Sequence, residues 1–215
     1  MSFLARNFQH IQTKIQSASA HLSRTPSLIA VCKNQSIDSI QELINLGQKD
    51  FGENKVQEAI EHWQNYDGPP VTLHMIGALQ TNKVKQAVSL FDVIQTIDRP
   101  SLAQKIAQEI IQQNKKISGF IQVNIGQEPQ KSGIMPADLR AFYQYCTVDL
   151  QLPIMGLMAI PPVDENPVPY FKKMQDHAND LGVSHLSMGM SSDFESAIEQ
   201  GATYVRIGTD LFKAS

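Results

Sequence analysis

Lys33 closes a run of five apolar residues, Leu28-Ile29-Ala30-Val31-Cys32. An ammonium there either reaches solvent past the end of a strand or is held out of water. In the second case it loses proton affinity and becomes an amine able to form a Schiff base. Taken alone, the residue leaves both readings open. A second group lies toward the C-terminus, where Gly189, Ser191 and Ser192 are followed by Gly208 and Thr209. Bare amides and hydroxyls of this kind bind phosphate. Ser192 and Glu195 also have capping-box spacing, and simple helix capping accounts for that pair with no ligand. The third group is Arg206, inside Val205-Arg206-Ile207. Its guanidinium keeps its charge and needs a partner, either a carboxylate in an internal ion pair or a ligand. An amine, a phosphate cradle and a fixed cation together describe a pocket for pyridoxal 5'-phosphate (PLP): Lys33 for the aldehyde, the glycine and serine loops for the phosphate, Arg206 for the ring nitrogen.

Such groups converge only if the fold brings distant segments to one place. The short continuous apolar run with β-branched members at 28–32 predicts a strand buried on both faces, and further candidate strands fall at 50–52, 72–76, 91–95, 119–124, 154–158, 185–187 and 204–207. Helical periodicity falls between them, at 56–63, 84–89, 102–111, 139–146, 171–181 and 194–200. A helix capped by Ser36 carries Ile37, Ile40, Leu43 and Ile44, with Gly47 as its left-handed stop. Before the first strand, Leu4, Phe8, Ile11, Ile15, Ala18 and Leu22 form a helical stripe that should end near Arg24, ahead of Pro26. Pro100 suits a first helical turn, and 161–169 reads as a Pro-rich surface loop. Strand and helix alternate without a sequence repeat, at about 27 residues per unit over 215 residues. The expected fold is α/β, a single (β/α)8 TIM barrel with an extra N-terminal helix and one PLP-binding domain over 1–215; a doubly wound sheet is the competing fold. In a parallel barrel the site forms at the C-terminal strand ends. There Lys33, Asn54, Ser191, Ser192, Arg206, Gly208 and Thr209 are the candidate ligand contacts.

Composition narrows the partners. Lys and Arg number 18 against 21 Asp and Glu, a net charge of −3 with no basic cluster, so nucleic acid is not expected. No apolar run reaches the ~20 residues of a membrane helix, and residues 1–10 lack a signal-peptide pattern. A cytoplasmic protein is expected. Cys32 and Cys146 are far apart and read as reduced thiols, not as a disulfide or a metal site. If Lys33 faces the barrel interior, alternation turns Cys32 away to pack.

The motifs resemble one family, the pyridoxal phosphate homeostasis proteins. They are Leu28 to Lys33; Phe51-Gly52-Glu53-Asn54 with Val56-Gln57-Glu58; His74-Met75-Ile76-Gly77 with Leu79-Gln80-Thr81-Asn82-Lys83; Lys131-Ser132-Gly133; Gly156-Leu157-Met158-Ala159-Ile160; Ser187-Met188-Gly189-Met190-Ser191; and Val205-Arg206-Ile207-Gly208-Thr209. The resemblance covers about 28–212. It implies a barrel like the N-terminal domain of alanine racemase, PLP held as an imine on Lys33, a role in cellular PLP supply without established turnover, a monomer, and PLP-dependent apoenzymes as partners. Cys32, Ala78 and Lys55 depart from the family's usual serine, proline and aromatic. His74 and Met158 are shared with it, with core packing as their expected role; Lys83 and Lys131 fit either a ligand contact or solvent.

A PLP-dependent amino-acid racemase is the alternative, and two features weigh against it. A cation at the pyridine nitrogen disfavours protonation there and weakens the ring as an electron sink. Racemisation also needs an acid opposite the lysine, a tyrosine from a second domain in alanine racemases, and 215 residues leave no room for that domain beyond the barrel.

Overall fold

The computed structural model describes residues 1–213. Eight parallel strands close into one barrel in chain order: β1 (Ser27–Val31), β2 (Asp50–Glu53), β3 (Thr72–Met75), β4 (Val93–Ile97), β5 (Ser118–Val123), β6 (Ile154–Ala159), β7 (His185–Ser187) and β8 (Tyr204–Ile207). Closure is made by β1 on β8, with Ile29 beside Arg206 and Ala30 beside Ile207. A parallel barrel wrapped in helices buries both strand faces, which is why the strands read as short continuous apolar runs.

The helices are α1 (Phe3–Ala18), α2 (Ile37–Asn45), α3 (Val56–Trp63), α4 (Val84–Leu90), α5 (Pro100–Gln113), α6 (Leu139–Gln144), α7 (Val168–Leu181), α8 (Phe194–Glu199) and α9 (Thr209–Phe212). Ser36 caps α2 through the Ser39 amide, Gly47 follows it at φ +92°, and Pro100 opens α5. The main core lies between strands and helices; inside the barrel Val93, Phe120 and Met158 form a smaller apolar plug against Tyr204. No described helix is long and apolar enough to cross a membrane.

Several boundaries differ from the sequence expectation, and four of the differences have a visible cause or consequence. α1 stops at Ala18, because Ser19 bends back and its amide and Oγ both bond the Ile15 carbonyl; Leu22 packs from the following turn. Strand β4 starts two residues late, since Phe91 serves as the cap of α4 and the Asp92 carboxylate accepts the Leu73 amide. The Pro-rich segment enters α7 at Val168, with Pro169 in a turn where a missing N–H costs nothing. Cys32 lies just past β1, yet is fully buried.

Candidate functional site

A cavity of about 550 Å³ opens at the C-terminal ends of the strands, a size typical of small-molecule sites. Val31 follows from β1, Asn54 from β2 and Ile76 from β3; Ile160 comes from β6, Met190, Ser191 and Ser192 from the loop after β7, and Arg206, Gly208, Thr209 and Asp210 from β8 and the turn beyond. Six of the seven candidate residues thus converge: Asn54, Ser191, Ser192, Arg206, Gly208 and Thr209. Gly77 allows one of them to be placed. A Cβ there would stand 2.1 Å from the Asn54 carbonyl oxygen, so only glycine lets the end of β3 pass so close to Asn54.

Arg206 is 4% exposed. Its Nη1 donates to Ser187 Oγ at 2.8 Å and its Nη2 to the Ala159 carbonyl at 3.0 Å. No carboxylate of the described residues lies within 4.0 Å, so the internal ion pair that the sequence left open is not formed. Burial pulls the guanidinium down to about 10, opposed by the charge of Asp193, and it stays cationic at neutral pH. A buried cation with spare N–H groups at a cavity wall calls for an acceptor from outside the chain. Asn54 adds a second unmatched group, a buried Oδ1 without a hydrogen-bond partner. With the hydroxyls of Ser191, Ser192 and Thr209 and the apolar walls of Val31, Ile76, Ile160 and Met190, the donor set fits a flat, phosphorylated heteroaromatic ligand.

Lys33 is placed differently from the desolvated amine considered above. Strand β1 ends at Val31 and the chain turns through Asn34 at φ +59°, leaving Lys33 exposed and outside the cavity lining. The Glu58 carboxylate accepts the Asn34 amide, which puts an anion beside this turn. The Ser192–Glu195 capping box is a correction. Asp193 is the N-cap of α8, its carboxylate accepting the Met190 amide at 2.6 Å, and Glu195 pairs with Lys14 at 2.6 Å on α1. Freed from capping, Ser192 lines the cavity.

Lys83 lines a smaller hollow of about 270 Å³ next to Asn54, and Lys131 is paired with Glu128 at 2.6 Å. His74 bonds on both ring nitrogens inside the barrel, and Met158 is fully buried. Cys32 and Cys146 are buried and unpaired, with burial raising both thiols, Cys146 to about 12; Cys32 packs in the main core. Sequence reading missed Asp210 and the apolar walls. Only their positions at strand ends or within three residues beyond them could have marked them.

Glu53 ends β2 on the face opposite Asn54 and is fully buried. Its Oε1 accepts from Trp63 Nε1 and pairs with His62 Nδ1, each at 2.8 Å on α3, while Oε2 has no partner. Burial raises its pKa above the ordinary carboxylate value, against the opposing hydrogen bonds of His62 and Trp63. The folded state therefore holds this proton more tightly than the unfolded chain. This group's contribution is best below the ordinary carboxylate range and declines as pH rises through the raised value. Glu53→Gln is expected to flatten that part of the stability profile, read from urea midpoints between about pH 4 and 8; an unchanged slope would contradict it.

Fold and cavity define a class, the (β/α)8 barrels of alanine racemase type: the family described as "Alanine racemase, N-terminal domain" matches residues 7–215. A solved alanine racemase from Clostridium difficile has this fold at TM-score 0.76 and 15% identity, over 98% of this chain and 57% of that one. Within the class, the chain belongs to the pyridoxal phosphate homeostasis protein family. The Aquifex aeolicus protein of that name is 38% identical over 97% of this chain and 95% of its own length. PipY of Synechococcus elongatus, solved with PLP bound, is 34% identical with TM-score 0.85, over 98% of this chain and all of that one.

Proposed function

We propose that this protein binds PLP in the cavity at the strand ends and serves intracellular PLP homeostasis as a carrier without catalytic turnover. The observation that carries the reading is the buried Arg206 guanidinium, which meets the cavity with no carboxylate of its own among the described residues. PipY, a full-length relative solved with PLP bound, supports the same cofactor here. When bound, PLP supplies an aldehyde that condenses with a primary amine and a ring that withdraws electrons.

In this reading Arg206 donates to the ring nitrogen. Ser191, Ser192, Thr209 and the Gly208 backbone receive the phosphate, and Val31, Ile76, Ile160 and Met190 keep water from the ring faces. Lys33 supplies the covalent link. Only Cys32 separates it from Val31 on the cavity wall, and its flexible four-carbon stem gives it reach.

The absence of turnover rests on Arg206. A permanent cation donating to the ring nitrogen would disfavour its protonation and limit how much charge the ring could take. None of the five tyrosines lines the cavity, so the tyrosine acid of a racemase has no counterpart among the lining residues. The proposal further places the protein in the cytoplasm, in keeping with two buried, unpaired thiols, as a monomer that serves PLP-dependent apoenzymes.

Two readings of one sample test the proposal. Titration with PLP should generate a bound chromophore, and the loaded protein should not speed α-hydrogen exchange of amino acids in deuterated water beyond free PLP. Lack of any bound chromophore overturns the binding; saturable exchange that depends on Lys33 overturns the carrier role.

A further inference from the structure

Arg206 is one end of a hydrogen-bond chain that runs down the inside of the barrel. Its Nη1 donates to Ser187 Oγ (2.8 Å), and Ser187 Oγ donates to Gln95 Oε1 (2.6 Å). Gln95 Nε2 is 3.0 Å from His74 Nδ1, and His74 Nε2 is 3.0 Å from Asp50 Oδ1. The five residues come from β8, β7, β4, β3 and β2, so closure of the barrel assembles the chain. Ser187, Gln95 and His74 are buried, while the Asp50 side chain is 23% exposed. Other ionisable neighbours include Tyr204, whose ring centroid lies 5.6 Å from that of His74, His185 behind it, 5.7 Å from Tyr204, with Arg24 3.4 Å from His185 Nδ1, and Asp193, whose charge acts on Arg206.

With Gln95 Nε2 facing His74 and Oε1 facing Ser187, hydrogen-bonding capacity sets the direction of every link. An amide NH2 only donates, so His74 Nδ1 accepts from Gln95. His74 Nε2 then donates to the Asp50 carboxylate. Ser187 has one proton, committed to Gln95, so its oxygen accepts from Arg206. All four bonds point the same way, from the cation at the cavity to the carboxylate at the opposite end.

We propose that Ser187, Gln95 and His74 are positioning residues for Arg206, holding its guanidinium in the orientation in which its free N–H groups face the ligand, with Asp50 as the distant counter-charge. The proposal rests on the reading that the cavity binds PLP. Arginine has many rotamers, and fixing one before the ligand arrives removes an ordering cost from binding. None of the three positioning residues lines the cavity, so each acts only through Arg206.

The test is a double-mutant cycle read as PLP affinity. Ser187→Ala should weaken PLP binding by about tenfold, and Ser187→Thr, which keeps the hydroxyl, should restore it. In an Arg206→Leu background Ser187→Ala should have no further effect. Gln95→Met breaks the chain one link farther on and gives the same comparison whether or not Ser187→Ala folds well. In the ligand-free protein, 15N spectra should show His74 protonated on Nε2 alone, and doubly protonated in Gln95→Glu, where a carboxylate accepts at Nδ1. Affinities of Ser187→Ala and Gln95→Met within twofold of wild type, equal losses in the two backgrounds, or a proton on Nδ1 in the wild type would each overturn the role. A wild-type chain that binds no PLP overturns the functional reading as well, whereas normal wild-type binding with an unaffected Ser187→Ala overturns the positioning role alone.

Discussion

Lys33→Ala is expected to abolish the covalent attachment of PLP, leaving no imine absorbance and no adduct after borohydride. Weak binding should persist, because the contacts proposed for Arg206, Ser191, Ser192 and Thr209 do not involve the lysine, but affinity should fall by roughly tenfold or more. Folding should be nearly untouched. Lys33 is exposed and has no ion-pair partner among the described residues, and substitutions at such positions usually stay within about 0.5 kcal/mol. That separation makes the result interpretable, since the spectrum should vanish while the urea midpoint stays in place. A retained adduct would move the covalent role to another lysine, with Lys83, in the hollow adjoining Asn54, the first to examine.

Arg206→Leu should act on affinity through a different contact. The substitution removes the only cation among the described residues that line the cavity, and loss of a hydrogen bond to a charged group costs about 1.5–3 kcal/mol, or roughly 10- to 100-fold in the PLP Kd. Two opposing effects act on stability. The Ala159 carbonyl and Ser187 Oγ lose their donor, but the desolvation of a buried charge disappears with the guanidinium. The urea midpoint should therefore move far less than the affinity. At saturating PLP the Lys33 link should still form. A Kd within threefold of wild type would show that Arg206 serves the barrel interior and not the ligand.

The residues that carry these predictions were legible in the sequence to different degrees. Most of the strands could be placed because a parallel barrel buries both strand faces, and apolar runs such as Leu28 to Val31 announce themselves; the short mixed β2 and β7 were placed by their position between helical segments. The polar residues directly after those runs then had to gather at one end, which is how Asn54, Ser191, Ser192, Arg206, Gly208 and Thr209 were found together. Features set by contacts between distant segments were not legible. The Ser192–Glu195 spacing matched a capping box, yet Asp193 caps α8 and Lys14, far away in sequence, takes Glu195. The turn at Asn34 decides that Lys33 is exposed, and nothing in the apolar run before it specifies that turn. Gln95 stood unremarked in a strand; its role follows only from the closed barrel, which sets it between His74 and Ser187.

The most direct test of the central claim is the site of attachment itself. The purified protein is loaded with PLP, reduced with borohydride, digested and mapped by mass spectrometry. A single pyridoxyl group on the peptide that contains Lys33 is the predicted result. A pyridoxyl group on any other lysine, or no modified peptide from a fully reduced sample, would contradict it.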